Sequence, residues 1–111
     1  MITIKTKPVP VNQKYGIING RMKKQKKYRD TKEAIAWEIK SQWKGGPLQD
    51  DDAVNLLVYF GNNRKNDIDG YIKIILDAAE GVLYEDDSQV TELHVYKELD
   101  VDNPRVELSI V

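Results

Sequence analysis

The segment from Asp67 to Leu83 constrains the fold more than any other part of the sequence. At about 100° per residue, Ile68, Ile72, Ile75, Leu76, Ala79 and Leu83 gather on one side of a helix. Tyr71, Ile74, Ala78 and Val82 widen that apolar arc to roughly 200°. What remains is a narrow polar strip of Asp69, Lys73, Asp77 and Glu80, flanked by Gly70 and Gly81. A helix this apolar has to be mostly buried, showing only its charges. In a chain of 111 residues, that predicts a single small domain spanning 1–111, packed around this helix.

The remaining elements follow from pattern. Residues 2–6 alternate with period two and read as a first strand, which Pro8 and Pro10 break. From Asn12 to Lys27 the chain is polar and basic without a clear period, and reads as a long functional loop. A helix is predicted from Thr31 to Lys44, with Asp30 and Glu33 as a capping box. Its inward face is Ala34, Ile35, Ile39 and Trp43, and Gly45, Gly46 and Pro47 end it. Residues 53–60 form a continuous apolar run suited to the centre of a sheet. Val90 to Lys97 and Val106 to Ile110 read as two closing strands, joined by a turn at Asp102, Asn103 and Pro104. The expected fold is α+β in β-α-β-α-β-β order, one mixed sheet with two helices.

The chain contains no cysteine and one histidine, His94. Disulfides, thiolate metal sites and histidine-rich zinc sites are therefore excluded, and a metal here needs oxygen ligands: magnesium, manganese or calcium. No apolar run approaches the ~20 residues that span a bilayer, and the N-terminus alternates too strongly with lysine for a signal peptide. A cytoplasmic location is compatible with this. The net charge of −1 conceals a segregation: residues 1–47 carry a net +9 and residues 48–111 a net −10. A basic half can track phosphates while an acidic half collects divalent cations.

Two carboxylate pairs bracket the apolar helix: Asp67 and Asp69 at its start, Asp86 and Asp87 after its end. A helix from Asp67 to Leu83 is about 25 Å long, too long for the pairs to meet unless the chain reverses after a shorter helix or a second subunit completes the site. The same residues also read as ordinary surface chemistry, with Asp67 a helix cap, Asp69 and Lys73 an i,i+4 pair, and Asp86 and Asp87 a solvated turn. Spacing alone does not choose.

The run Asn66, Asp67, Ile68, Asp69, Gly70, Tyr71, Ile72, Lys73, then Asp77, Ala78, Ala79, then Asp86, Asp87, Ser88, Gln89, Val90 resembles the signature of the RusA family of Holliday junction resolvases. That signature is Asp-x-Asp-Asn, a lysine one turn on, Asp-Ala-Leu, and Asp-Asp-x-Gln-Val, and the spacings match without a gap. More loosely, the first strand is followed by Pro8 to Asn12 in a Pro-x-x-x-Asn segment and then by a basic loop. The resemblance implies a homodimeric, magnesium-dependent endodeoxyribonuclease, with manganese a possible substitute. It would nick four-way DNA junctions in two symmetric strands during recombination and repair, in a bacterial or phage-encoded setting. Asp67, Asp69 and Asp87 match the family's metal ligands, with Asp86 in the same cluster, and Lys73 matches its essential lysine. Asp77 reads as structural, holding Lys73 at i,i+4. Gly70 departs from the family's asparagine, which leaves a catalytically weakened branched-DNA-binding module as the alternative.

Phosphodiester hydrolysis needs a nucleophilic water, a neutralised phosphate and a stabilised leaving oxygen. Carboxylate-bound magnesium answers the first two needs and Lys73 the third. The DNA surface is expected on Asn12, Lys14, Tyr15, Lys23, Lys24, Lys26, Lys27 and Arg29, with Tyr15 and Tyr28 available for stacking. Arg64 and Lys65 are expected to guide a phosphate towards the metal. His94 is assigned no catalytic role. Trp37 and Trp43 are expected in the core or at a dimer interface.

Overall fold

In the computed structural model the described residues are 1–8, 15–18, 21–24, 26–50, 52–60 and 68–110. For 15–18, 21–24, 52–60, 68 and 69 only the backbone is described. The elements are β1 (Ile2–Ile4), β2 (Tyr15–Ile18), β3 (Arg21–Lys24), α1 (Lys26–Gln42), β4 (Asp52–Phe60), α2 (Ile68–Ala79), β5 (Val90–Leu99) and β6 (Arg105–Ile110). The main sheet runs β1-β6-β4-β5. β4 is antiparallel to β6 and parallel to β5, a pairing that requires a crossover between β4 and β5. α2 lies in that connection. The continuous apolar run of β4 thus occupies an interior position, flanked on both sides.

The core lies between this sheet and the two helices. Ile2 and Ile4 on β1 and Val106 and Leu108 on β6 point inward at period two, each 4% exposed or less. Ile74, Ile75, Ala78 and Ala79 of α2 and Tyr28, Ile35 and Ile39 of α1 meet them. Replacing one such isoleucine by alanine removes about 2–5 kcal/mol. α1 also closes the free edge of β1. The Gln42 side-chain amide donates to Thr3 O at 2.7 Å and accepts from Thr3 N at 2.9 Å. The Glu38 carboxylate accepts from Lys5 N and Thr6 N at 2.8 and 3.1 Å. Two helix side chains therefore satisfy the backbone groups that a neighbouring strand would otherwise take.

Three sequence expectations are corrected. The stretch read as a loop contains the hairpin β2–β3, registered Tyr15↔Lys24 to Ile18↔Arg21, which makes a second, two-stranded sheet. α1 begins at Lys26, so Asp30 lies inside the helix and cannot cap it with Glu33. Tyr28, Ile35 and Ile39 stand seven and then four residues apart, so the inward face already starts in the first turn. α2 ends at Ala79 and not at Leu83. In addition, Ala34 is exposed, and Trp37, expected in a core or at a dimer interface, is 70% exposed and so lies outside the core. Trp43 is partly buried against the core, and its indole N–H donates to Gly46 O. Among the described residues no helix is long and apolar enough to cross a membrane.

Candidate active site

The end of α2 sets the geometry. Gly81 adopts φ +85°, a left-handed conformation open to glycine at little cost, and so suited to the turn after a helix. Val82 N and Leu83 N donate to Ala79 O at 3.0 and 2.9 Å, and Gly81 N donates to Tyr84 O at 2.7 Å. Leu83 and Tyr84 then dive back into the core, both fully buried. The Tyr84 hydroxyl donates to Leu76 O at 2.7 Å, which pins the reversal to α2. Burial pushes the Tyr84 phenol well above its ordinary value, and the charges of Asp87, Glu80 and Asp77 add to this. The group therefore remains a protonated donor. The helix is thus shorter than the hydrophobic pattern suggested and is followed at once by a reversal, which brings Asp87 back to Lys73.

Gln89 fixes the returning strand. Its Oε1 accepts from Glu85 N and Asp86 N, both at 2.9 Å. Its Nε2 donates to Leu48 O at 2.8 Å and Asp50 O at 3.0 Å. One amide thus uses both acceptor and both donor positions, and ties the turn before Asp87 to the segment ahead of β4. Leu48 N donates in turn to Leu83 O at 2.7 Å.

The outcome is a compact charged group on α2 and the turn. Lys73 Nζ lies 2.9 Å from Asp77 Oδ1 and 3.8 Å from Asp87 Oδ2. The hydrogen bond to Asp77 raises the Lys73 pKa, burial works against it, and the charges of Asp77, Asp87 and Glu80 reinforce it. The ammonium accordingly stays charged at neutral pH. Carboxylate oxygens of Asp77, Glu80 and Asp87 lie within 4.8 Å of one another. The group is an all-oxygen one, the donor type that hard divalent cations use. Asp86 does not join the trio. Its Oδ2 accepts from Ser88 Oγ at 2.7 Å, and that bond, ahead of the local backbone N–H groups, lowers its pKa.

The other expected site residues divide by what is described. Asp67, Asn12, Lys14, Arg64 and Lys65 lie outside the described residues, as do the side chains of Asp69, Tyr15, Lys23 and Lys24. In backbone terms Asp69 belongs to α2, four residues before Lys73. Lys23 and Lys24 belong to β3, opposite Gly16 and Tyr15. Lys26, Lys27 and Arg29 are exposed on the first turn of α1. Tyr28, expected to stack on bases, is instead fully buried, and its hydroxyl donates to Asp77 Oδ2 at 2.8 Å. Sequence reasoning missed Glu80 as a member of the acidic group, although it shares the polar strip with Lys73 and Asp77. It also gave no role to Gln89 or Tyr84, the residues that put Asp87 where it is.

A helix crossing from β4 to β5, with a carboxylate turn folded back onto its lysine, fits a phosphodiester-cleaving enzyme that uses oxygen-bound metal. The family model described as Endodeoxyribonuclease RusA matches residues 5–111, and the chain belongs to that family: it is a nuclease acting on DNA. A curated relative, the crossover junction endodeoxyribonuclease RusA of Aquifex aeolicus, is 28% identical over 96 residues, covering 84% of this chain and 75% of the relative.

Proposed function

We propose that the protein resolves four-way DNA junctions by paired, symmetric, magnesium-dependent nicks, acting as a homodimer on branched DNA. The observation that carries this reading is the approach of Asp87 to Lys73, 3.8 Å apart across the α2 reversal. Asp69 stands one helical turn before that lysine, so a turn that returns to Lys73 also returns towards the start of α2. In this reading Asp67, Asp69 and Asp87 would hold the metal, while Asp86, bonded to Ser88, stands beside them in the turn. Magnesium held there would lower the pKa of a water and offset charge on the scissile phosphate.

The chain's own residues do the rest. Lys73 presents a fixed positive charge to the oxygen that leaves, as a point donor and not a bidentate one. Asp77 keeps that ammonium beside Asp87. Lys23 and Lys24, with Lys26, Lys27 and Arg29 on the first turn of α1, bind phosphates remote from the reacting bond and give salt-sensitive affinity. Arg64 and Lys65, just ahead of α2 in sequence, guide the strand towards the carboxylates. A cytoplasmic location accords with a DNA substrate.

The test is cleavage of a labelled synthetic four-way junction, in magnesium or EDTA, by wild type, Asp69→Asn and Asp87→Asn. Paired nicks that need magnesium and vanish in both variants support the proposal. Tight junction binding without cleavage in magnesium or manganese overturns it in favour of a binding module, with Gly70→Asn as the rescue to try. Neither binding nor cleavage overturns it altogether.

A further inference from the structure

Asp77 gives its two oxygens to partners on different helices. Oδ1 is 2.9 Å from Lys73 Nζ, one turn away on α2. Oδ2 accepts from the hydroxyl of Tyr28, on the first turn of α1, at 2.8 Å. The Tyr28 ring is wholly inside the core, where a phenylalanine would fill the same space. The hydroxyl is a polar group in an apolar setting, a placement that needs a bonded partner, and Asp77 provides it. Lysine carries a flexible four-carbon stem, and an i,i+4 carboxylate on a helix surface restrains it only weakly. Here the carboxylate side chain is 13% exposed and fixed from a second helix, whereas the Lys73 side chain is 43% exposed. The restraint on Lys73 therefore originates in α1.

We propose that Tyr28 is a positioning residue of the site: its hydroxyl orients the Asp77 carboxylate, and that carboxylate holds the Lys73 ammonium next to Asp87. Its catalytic consequence rests on the nuclease reading given above, but the positioning itself does not. The connection is also directional. Lys26, Lys27 and Arg29, on the same turn as Tyr28, are exposed, and β3 ends two residues before α1 begins. The turn that carries these exposed cations and the ammonium at the site are thus linked through Tyr28 and one carboxylate.

The experiment uses the full chain with Tyr28→Phe, Lys73→Met, the double variant and Asp77→Asn. Side-chain nitrogen NMR of the lysine ammonium groups reads positioning without activity. The Lys73 Nζ signal should be more ordered than those of Lys26 and Lys27 in wild type, and should fall to their level in Tyr28→Phe. Single-turnover cleavage in magnesium should slow about tenfold in Tyr28→Phe, within the range for a slightly misplaced catalytic group, with junction affinity in EDTA unchanged. In the Lys73→Met background, Tyr28→Phe should cost less than about twofold more, the non-additivity expected of residues acting through one another. Asp77→Asn, which keeps an acceptor for Tyr28 but loses the charge, should also free the Lys73 ammonium, and serves if Tyr28→Phe does not fold. Unchanged Lys73 order in both variants overturns the proposal. So does a cleavage loss that persists in full without Lys73, because it marks a merely structural tyrosine. A wild type that cleaves no junction overturns the resolvase reading alone, and the NMR result still decides the positioning.

Discussion

Two acidic turns in this molecule look alike in sequence and differ in how their charge is met. At the β5–β6 turn, Arg105 Nη1 donates to Asp100 Oδ2 at 2.7 Å and to Asn103 O at 2.9 Å, while its Nε donates to Glu107 Oε2 at 2.8 Å. The guanidinium side chain is only 16% exposed, and every contact is direct. At the turn after α2, Asp77, Glu80 and Asp87 crowd together around one ammonium. Lys73 touches Asp77 closely and Asp87 at 3.8 Å, and feels Glu80 only through its field. A planar fork closes the first turn, whereas among the described residues the three carboxylates of the second gather around the Lys73 ammonium. Carboxylate count therefore does not separate the two turns, but the kind of cation that meets them does: a bidentate guanidinium in one, a single ammonium in the other.

The largest test of that contrast is catalytic. Lys73→Met should lower single-turnover junction cleavage by roughly 10²–10³-fold, the usual loss for one transition-state donor. Arg105→Met, assayed where it remains folded, should stay within about threefold of wild type. Equal losses would break the comparison. Next comes the scaffold. Gln89→Leu removes four hydrogen bonds around the Asp86 and Asp87 turn, and should cost about 2 kcal/mol. Calorimetry should show this as a melting temperature lower by roughly 10 °C.

A smaller effect separates the turns by ligand. Magnesium or manganese at tenfold over its dissociation constant should stabilise wild type by about 1.4 kcal/mol through mass action. Thermal melts should lose that increment in Asp87→Asn and keep it in Asp100→Asn. The smallest is electrostatic. The hydrogen bond from Arg105 holds Asp100 below its ordinary value of 3.8, and the Ser88 hydroxyl does the same for Asp86. A carboxylate depressed in the folded state stabilises above its unfolded value and loses that contribution as pH falls through the folded one. Both turns should therefore weaken only below about pH 3.8. Carboxyl NMR titrations in high salt should move Asp100 back towards its ordinary value more than Asp86, because screening acts on the ionic partner. Ser88→Ala should shift Asp86 alone.

Much of this was legible before any coordinates. The apolar arc of α2 and the alternation in β1 and β6 report burial directly, and the run of β4 reports a strand flanked on both sides. The hairpin β2–β3 escaped because four-residue strands are too short to display a period. Asn19 and Gly20, the dipeptide favoured in two-residue hairpin loops, were its available signal. The start of α1 escaped because lysine and arginine suit a helix as well as a basic loop. The end of α2 was misread because the hydrophobic periodicity continues through Val82, Leu83 and Tyr84. Those residues are apolar for the turn's sake, and Gly81 was the sign of it. Within the site, the Lys73–Asp77 pair follows from i,i+4 spacing. The Tyr28–Asp77 and Gln89–Leu48 contacts bridge separations of 49 and 41 residues, which no local pattern encodes.

The pairing of β1 with β6 has a consequence for how the enzyme is made. Ile2 meets Leu108, and Ile4 meets Val106, so β1 waits for a partner made roughly a hundred residues later. Until β6 arrives, both helices lack Val106 and Leu108 from their apolar floor, although the α2 reversal and Gln89 have already been made. Contacts that are so distant in sequence delay folding. The contacts that draw Asp87 to Lys73 therefore lie wholly within residues made before β6, whereas the apolar floor that carries both helices is complete only with the finished sheet.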